Sequence, residues 1–297
     1  MNDDAMNEDA VNDDAMNDDA MNDEMILVTG ATGKTGRRVA RLLQERGVTV
    51  RAVSRSGTQA FDWADRSTWG PALEGVTGAY LVVPDLGSPR AAEAITAFAR
   101  QAAATGARRA VLLSVPEGGP DQEHVLAAER ALEHAGLDWT VLRPRWFFQN
   151  FSEDFLYDPV LSGEVRLPAG DGKEAFVDAE DIAEVAVAAL TEAGHAGWHY
   201  ELSGPRLMTF GDAVAEIARA TGREIRYVSL TPEAYGDEQR AQGVPEEWVQ
   251  LSVNLYEHVR SGGLASLSDG VQRALGRAPR DFSEYADTTT RQGTWNT

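Results

Sequence analysis

The segment that most constrains this chain lies between Met25 and Arg46. A short apolar run, Met25 to Thr29 (MILVT), leads directly into Gly30-Ala31-Thr32-Gly33-Lys34-Thr35-Gly36. From Lys34 to Arg46, Val39, Leu42 and Leu43 then recur at helical spacing. A buried strand, a glycine turn and a helix in that order open a βαβ unit. Gly30 permits the tight turn, Gly33 lets backbone approach a pyrophosphate, and Gly36 lets helix and strand pack closely, with the helix N-terminus facing the anion. Gly33-Lys34-Thr35 also matches the end of a P-loop. That motif needs a glycine where this chain has Val28, inside the strand, so it is excluded.

The same alternation continues downstream. Strands are predicted at Val48–Val53, Ala79–Val83, Arg109–Ser114 and Trp139–Leu142, with helices at Pro89–Thr105 and His124–Ala135. Strands apolar throughout and separated by helices imply a parallel sheet covered on both faces. The fold class expected is α/β, a doubly wound parallel sheet of Rossmann type, with a small C-terminal α+β substrate part. Residues 25–150 form the dinucleotide-binding domain and 151–297 the smaller part, interleaved with the sheet edge. There, Asp178 is predicted to cap a helix over Ala179–Leu190, with Asp181 completing a capping box. Further strands are expected at Trp198–Leu202 and Glu224–Ser229, and helices at Phe210–Thr221, Pro232–Gln242 and Glu246–Ser261. From about 283 onward the chain is polar and expected to fray.

Charge restricts the partners. The 297 residues hold 47 acids against 27 Lys and Arg. Ten of those acids lie in residues 1–24, a five-residue repeat (MNDDA MNEDA VNDDA MNDDA MNDE) without a single base. Five residues advance a helix by about 500°, so the repeat builds no continuous apolar face and is expected to be disordered. The remainder still carries a net charge of −10. Nucleic acid and anionic membrane surfaces are therefore poor ligands. No apolar run is long enough to span a bilayer and the head lacks a signal-peptide core, so a cytoplasmic protein is expected. Zero cysteines exclude disulfides and thiol chemistry.

The second strand selects the cofactor. NAD sites place an acid near its end to hold the ribose 2′-hydroxyl. Arg51-Ala52-Val53-Ser54-Arg55 offers none. Arg55, beside Ser54, is placed to hold a 2′-phosphate, so NADP(H) is preferred, with Lys34 and Arg51 adding positive charge nearby.

Four segments together, VTGATGKTG at 28–36, VRAVSRS at 50–56, LRPRWFFQN at 142–150 and VDAEDIAEVAVAAL at 177–190, resemble the NmrA-like group of atypical short-chain dehydrogenase/reductases. The likeness covers about residues 25–260. It implies an NADP-binding Rossmann domain in a family containing quinone, azo-dye and iminium reductases, tailoring enzymes of secondary metabolism, and silent cofactor sensors. On that resemblance Gly30, Thr32, Gly33, Lys34 and Thr35 form the pyrophosphate loop and Arg55 anchors the 2′-phosphate. Asp62 and Trp63 flank the adenine. Val82, Val83 and Pro84, at the end of the fourth strand, lie beside the nicotinamide ribose. Phe147 and Asn150 bound the nicotinamide end and the substrate pocket. The chain departs from typical short-chain dehydrogenases. Ser114 stands where their serine does, but the helix after it has neither Tyr nor Lys.

Other candidates each have a structural alternative. His124 could donate a proton or be a surface helix residue. His195 and His199 are four apart, but Gly194 and Gly197 oppose a helix there, so no metal site is expected. Asp178, Glu180, Asp181 and Glu184 are explained by helix capping better than by catalysis. Trp146, Phe147, Phe148 and Phe151 follow the sixth strand at the ligand-binding edge of the sheet, where they either line a flat aromatic substrate or pack a core. The expected function is NADPH-dependent hydride transfer to a planar electron-poor acceptor of quinone or iminium type. The alternatives are a non-catalytic NADP sensor acting through a protein partner and NADPH-coupled monooxygenation.

Overall fold

The computed structural model describes residues 24–119 and 121–296. The acidic repeat lies outside the described residues except for Glu24, whose carbonyl already accepts the Thr49 amide at 3.2 Å. Among the described residues the strands are β1 (Met25–Val28), β2 (Thr49–Ala52), β3 (Gly78–Val82), β4 (Arg109–Leu113), β5 (Asp138–Pro144), β6 (Glu164–Leu167), β7 (Lys173–Glu174), β8 (Trp198–Leu202), β9 (Met208–Thr209) and β10 (Arg226–Ser229). The helices are α1 (Lys34–Glu45), α2 (Trp69–Leu73), α3 (Ala91–Ala104), α4 (Gln122–Glu133), α5 (Asn150–Glu153), α6 (Tyr157–Ser162), α7 (Ala179–Thr191), α8 (Phe210–Thr221), α9 (Pro232–Ala241), α10 (Glu246–Arg260), α11 (Gly270–Leu275) and α12 (Phe282–Arg291).

The central sheet runs β2-β1-β3-β4-β5-β8 with every pair parallel, the doubly wound architecture expected. Successive residues of a strand face opposite ways. Leu27 accordingly joins Phe98, Leu112, Val125 and Val141, with the residues of α3 and α4. Ile26 and Val28 join Val39, Leu43, Tyr80 and Ile182, with those of α1 and α7. The strand order reverses between β1 and β3, which opens a crevice at their carboxyl ends. One strand fewer than expected precedes this point. Residues 54–68 form turns, two isolated bridges (Ser54–Ala60 and Asp62–Asp65) and a 3-10 turn at Arg66–Thr68, so Val82 ends the third strand and the aromatic group follows the fifth. Ser, Gly, Asp and Thr dominate that stretch and favour turns over an edge strand.

Past residue 150 the chain returns to the sheet, where β8 pairs with β5 and α7 is buried on nearly every side. The rest encloses a second apolar cluster around Phe148, Phe151, Phe176, Phe210, Phe282 and Trp295. Two expectations fail here. Residues from 283 onward do not fray. Phe282, Tyr285, Ala286 and Thr289 put one face of α12 into that cluster, and Trp295 is fully buried, donating Nε1 to the Phe151 carbonyl at 2.9 Å. Polar composition hid an amphipathic helix of three turns. Asp178 caps α7 by accepting the Glu180 amide at 2.9 Å, but Asp181 completes no capping box. Its buried carboxylate instead takes the Arg280 amide at 2.8 Å and the guanidinium groups of Arg277 and Arg280.

Candidate cofactor and acceptor site

The glycine loop sits in the crevice. Gly30 has φ +61°, and a Cβ there would meet the Val82 Cβ at 3.0 Å. Gly36 is more restricted, since its Cβ would stand 2.2 Å from the Gly30 carbonyl oxygen. The Gly33 amide closes the turn onto that carbonyl at 2.9 Å. Thr29 links the crevice walls, donating to the Tyr80 carbonyl at 3.1 Å and accepting the Val82 amide at 2.8 Å. Helix α1 begins with no side-chain cap and no acid in its first turn. Its positive end and free amides fit a pyrophosphate. Thr32 and Gly33 are exposed, whereas Thr35 is buried.

The residues that the resemblance puts at the adenine meet the strand that it puts at the nicotinamide. Trp63 Nε1 donates to the Val82 carbonyl at 2.8 Å, and its ring packs edge-on against Phe61 at 5.3 Å. Asp62 accepts the Ala64 amide at 2.9 Å and so shapes the turn. Val83 is half-buried and Pro84 exposed at the strand's end. Arg55 is exposed in the turn after β2 and makes no hydrogen bond among the described residues. Arg51 is not a free phosphate donor. Its guanidinium is taken by the carbonyls of Ala72, at 3.1 Å, and Glu74, where the chain leaves α2.

The helix α5 covers the start of α1. Asp154, just beyond it, pairs with Lys34, and Glu153 pairs with Arg37 and Arg38. Burial works against the Glu153 charge, but the two guanidinium groups hold its carboxyl below the usual range. Lys34 Nζ also stands 5.9 Å from the centre of the half-buried Phe147 ring. Phe147 is thus brought near the first residue of α1. Asn150, at the first turn of α5, is half-buried on the same segment. Trp146 packs on Phe210 and Tyr256, with its edge toward the exposed Phe155. Phe148 lines no substrate site. It is 1% exposed and packs edge-on against Phe282 and tilted against Tyr285, because alternate residues after β5 turn into the second core.

Ser114 is buried beyond β4, and its hydroxyl donates to Glu129 of α4. Glu129 is fully buried and held by Arg143, whose Nε lies 3.0 Å from it; Arg143 also reaches Glu117 and Glu201. The only hint of this network in the sequence is an arginine within an apolar strand, since a buried charge requires a partner. His124 is half-buried on the first turn of α4, without a side-chain hydrogen bond among the described residues. His195 and His199 face different partners: His195 Nδ1 is 3.0 Å from the Tyr200 hydroxyl and His199 Nε2 is 3.1 Å from Glu133. Burial lowers the His195 pKa.

A model of an NAD(P)H-binding family matches residues 30–193. The chain belongs to this NAD(P)H-binding family. The oxidoreductase YesF of Bacillus subtilis (strain 168) is 35% identical over 88% of this chain and 93% of its own length. NAD(P)H azoreductase of Xenophilus azovorans is 33% identical over 88% of this chain and 96% of its own. Among solved structures, an NADPH-dependent quinone oxidoreductase of Escherichia coli, complexed with NADPH, superposes with a TM-score of 0.75 at 23% identity, covering 90% of this chain and 100% of that one. A mutant NmrA does so with a TM-score of 0.69 at 17% identity, over 92% and 97% of the two chains, in line with the NmrA-like resemblance. The protein is an NAD(P)H-dependent oxidoreductase of Rossmann fold. When bound, the dinucleotide supplies a hydride, and the uncapped end of α1 with its glycine cradle fits its phosphates.

Proposed function

We propose that this enzyme is an NADPH-dependent reductase that transfers hydride to a planar, electron-poor organic acceptor of quinone, azo or iminium type. The observation that carries this reading is the half-buried Phe147 ring, 5.9 Å from the Lys34 ammonium at the start of α1, where a flat acceptor can lie over the reactive end of the dinucleotide. The locked Ser114 supports it as well. A hydroxyl already donating to a buried carboxylate, with no Tyr and Lys on α4, is poorly suited to taking a proton from an alcohol. An acceptor that is already electrophilic needs less proton machinery. A relative named as an azoreductase is consistent with this class.

Arg55 selects NADPH over NADH in this proposal, its free guanidinium meeting the 2′-phosphate. The small aromatic acceptor is the only partner the reading requires. Among the described residues no helix is long and apolar enough to cross a membrane. With its acidic, cysteine-free composition, we infer a cytoplasmic setting. Anaerobic stopped-flow mixing of the NADPH-loaded enzyme with a panel of quinones, azo dyes and iminium ions tests the reaction. Loss of NADPH absorbance with at least one class is expected. Tight NADPH binding without oxidation by any acceptor would replace the reductase with a cofactor-sensing protein.

A further inference from the structure

Three cations open helix α1, and they are used differently. Arg38 is shared between Glu153 and Glu180, the latter at 2.8 Å, and Arg37 is taken by Glu153. These ion pairs fasten α5 onto α1. Lys34 is the exception, because its ammonium lies between a carboxylate and an aromatic ring. Asp154 accepts it on one side and the Phe147 ring stands 5.9 Å away on the other. The two side chains are 22% and 45% exposed, which leaves the pair a path to water.

An acceptor lying over Phe147 would meet this ammonium. We propose that Lys34, positioned by Asp154, is the catalytic proton donor to the acceptor, and that the enzyme is suited to acceptors that become anions on gaining hydride. This role rests on the reductase reading above. A quinone or azo compound that takes a hydride gains two electrons and is left with a negative charge on oxygen or nitrogen. The Lys34 N–H bond then breaks, and its proton forms the O–H or N–H bond of the product. The resulting amine regains a proton from water at the exposed edge. Before the transfer, the ammonium stabilises the charge as it develops. An iminium needs no such donor, since hydride alone neutralises it.

The test uses the full-length enzyme with Lys34→Met and Lys34→Arg, read in two ways. NADPH titration of each protein reports whether Lys34 holds phosphate. Anaerobic single-turnover rates at saturating NADPH, with a quinone and with an iminium ion, report the proton. Lys34→Met is expected to slow quinone reduction by about 100-fold or more, the usual contribution of a positioned acid. It is expected to slow iminium reduction by less than about tenfold and to raise the NADPH Kd by less than about threefold, under 1 kcal/mol. Lys34→Arg keeps the charge but does not release a proton, so it should not restore the quinone rate. A tenfold or greater loss of NADPH affinity with equal slowing of both acceptors would make Lys34 a phosphate ligand and overturn the role. Full quinone turnover in Lys34→Arg would overturn it too. If the native enzyme oxidises NADPH with neither acceptor, the reductase reading itself falls and takes this role with it. Turnover by the native enzyme that Lys34→Met leaves intact removes only the role.

Discussion

The two walls of the crevice are built by different means. On the cofactor side, Gly30, Gly33 and Gly36 bring backbone against backbone, and the ligand-facing groups are amides at the start of α1. On the proposed acceptor side the wall consists of side chains, with Phe147 and Trp146 half-buried and Phe148 and Phe151 turned into the core. Charged groups far apart in sequence brace this side: Asp154 on Lys34, and Glu153 on Arg37 and Arg38. The first wall tolerates no added atom at its tightest point but depends on few side chains. The second can vary its side chains, and with them its acceptor, as long as the bracing holds. A common cofactor joined to a variable substrate is what such a division permits.

The cofactor wall should break most sharply. Gly36→Ala places a Cβ 2.2 Å from a backbone oxygen, which no side-chain movement can relieve. NADPH affinity is expected to fall about 1,000-fold, roughly 4 kcal/mol, as read by fluorescence titration. Affinity within tenfold of native would show that the helix can shift away without losing the site.

On the acceptor wall, adjacent phenylalanines should behave differently. Phe148→Ala removes a buried ring and should lower unfolding stability by about 3–5 kcal/mol in denaturant titration. Phe147→Ala should cost well under half of that and act on the acceptor KM. Equal destabilisation by the two substitutions would place Phe147 in the core.

A buried acid on β7 adds a pH dependence. Glu174 on β7 is fully buried, with one carboxyl oxygen unpartnered, and burial raises its pKa from 4.5 to about 7 despite the Ala175 amide and nearby Arg145. The folded state therefore holds this proton more tightly than the unfolded chain does. Its stabilising effect is complete below the unfolded value of 4.5 and is lost as pH rises through about 7. Glu174→Gln should remove about 3 kcal/mol of stability loss between pH 4 and pH 8, relative to the native protein. The same pH dependence in both proteins would show that Glu174 ionises freely.

The same division explains what could be read from the chain. The strand, turn and helix from Met25 to Arg46 were legible because glycine sterics and apolar periodicity act within a few residues. The sheet strands and α7 were legible for the same reason. What escaped notice depends on distant partners. Nothing local marks Asp154 as the partner of Lys34, 120 residues away, or Glu129 as the anchor of Ser114. Arg51 read as a phosphate cation until the carbonyls of Ala72 and Glu74 were seen to hold it. The last helix was missed because its apolar residues are sparse, and Trp295 is buried only by packing against Phe151 and Tyr285.

Arg55 is the smallest change considered and the most direct test of the account, because it alone is asked to choose between cofactors. It is exposed and unpartnered among the described residues, so replacing it disturbs little else. NADPH and NADH should be titrated side by side into the native protein and Arg55→Ala. The account predicts an NADPH Kd raised about tenfold, roughly 1.4 kcal/mol, with the NADH Kd changed less than twofold. Equal losses for both cofactors, or none for either, would contradict it.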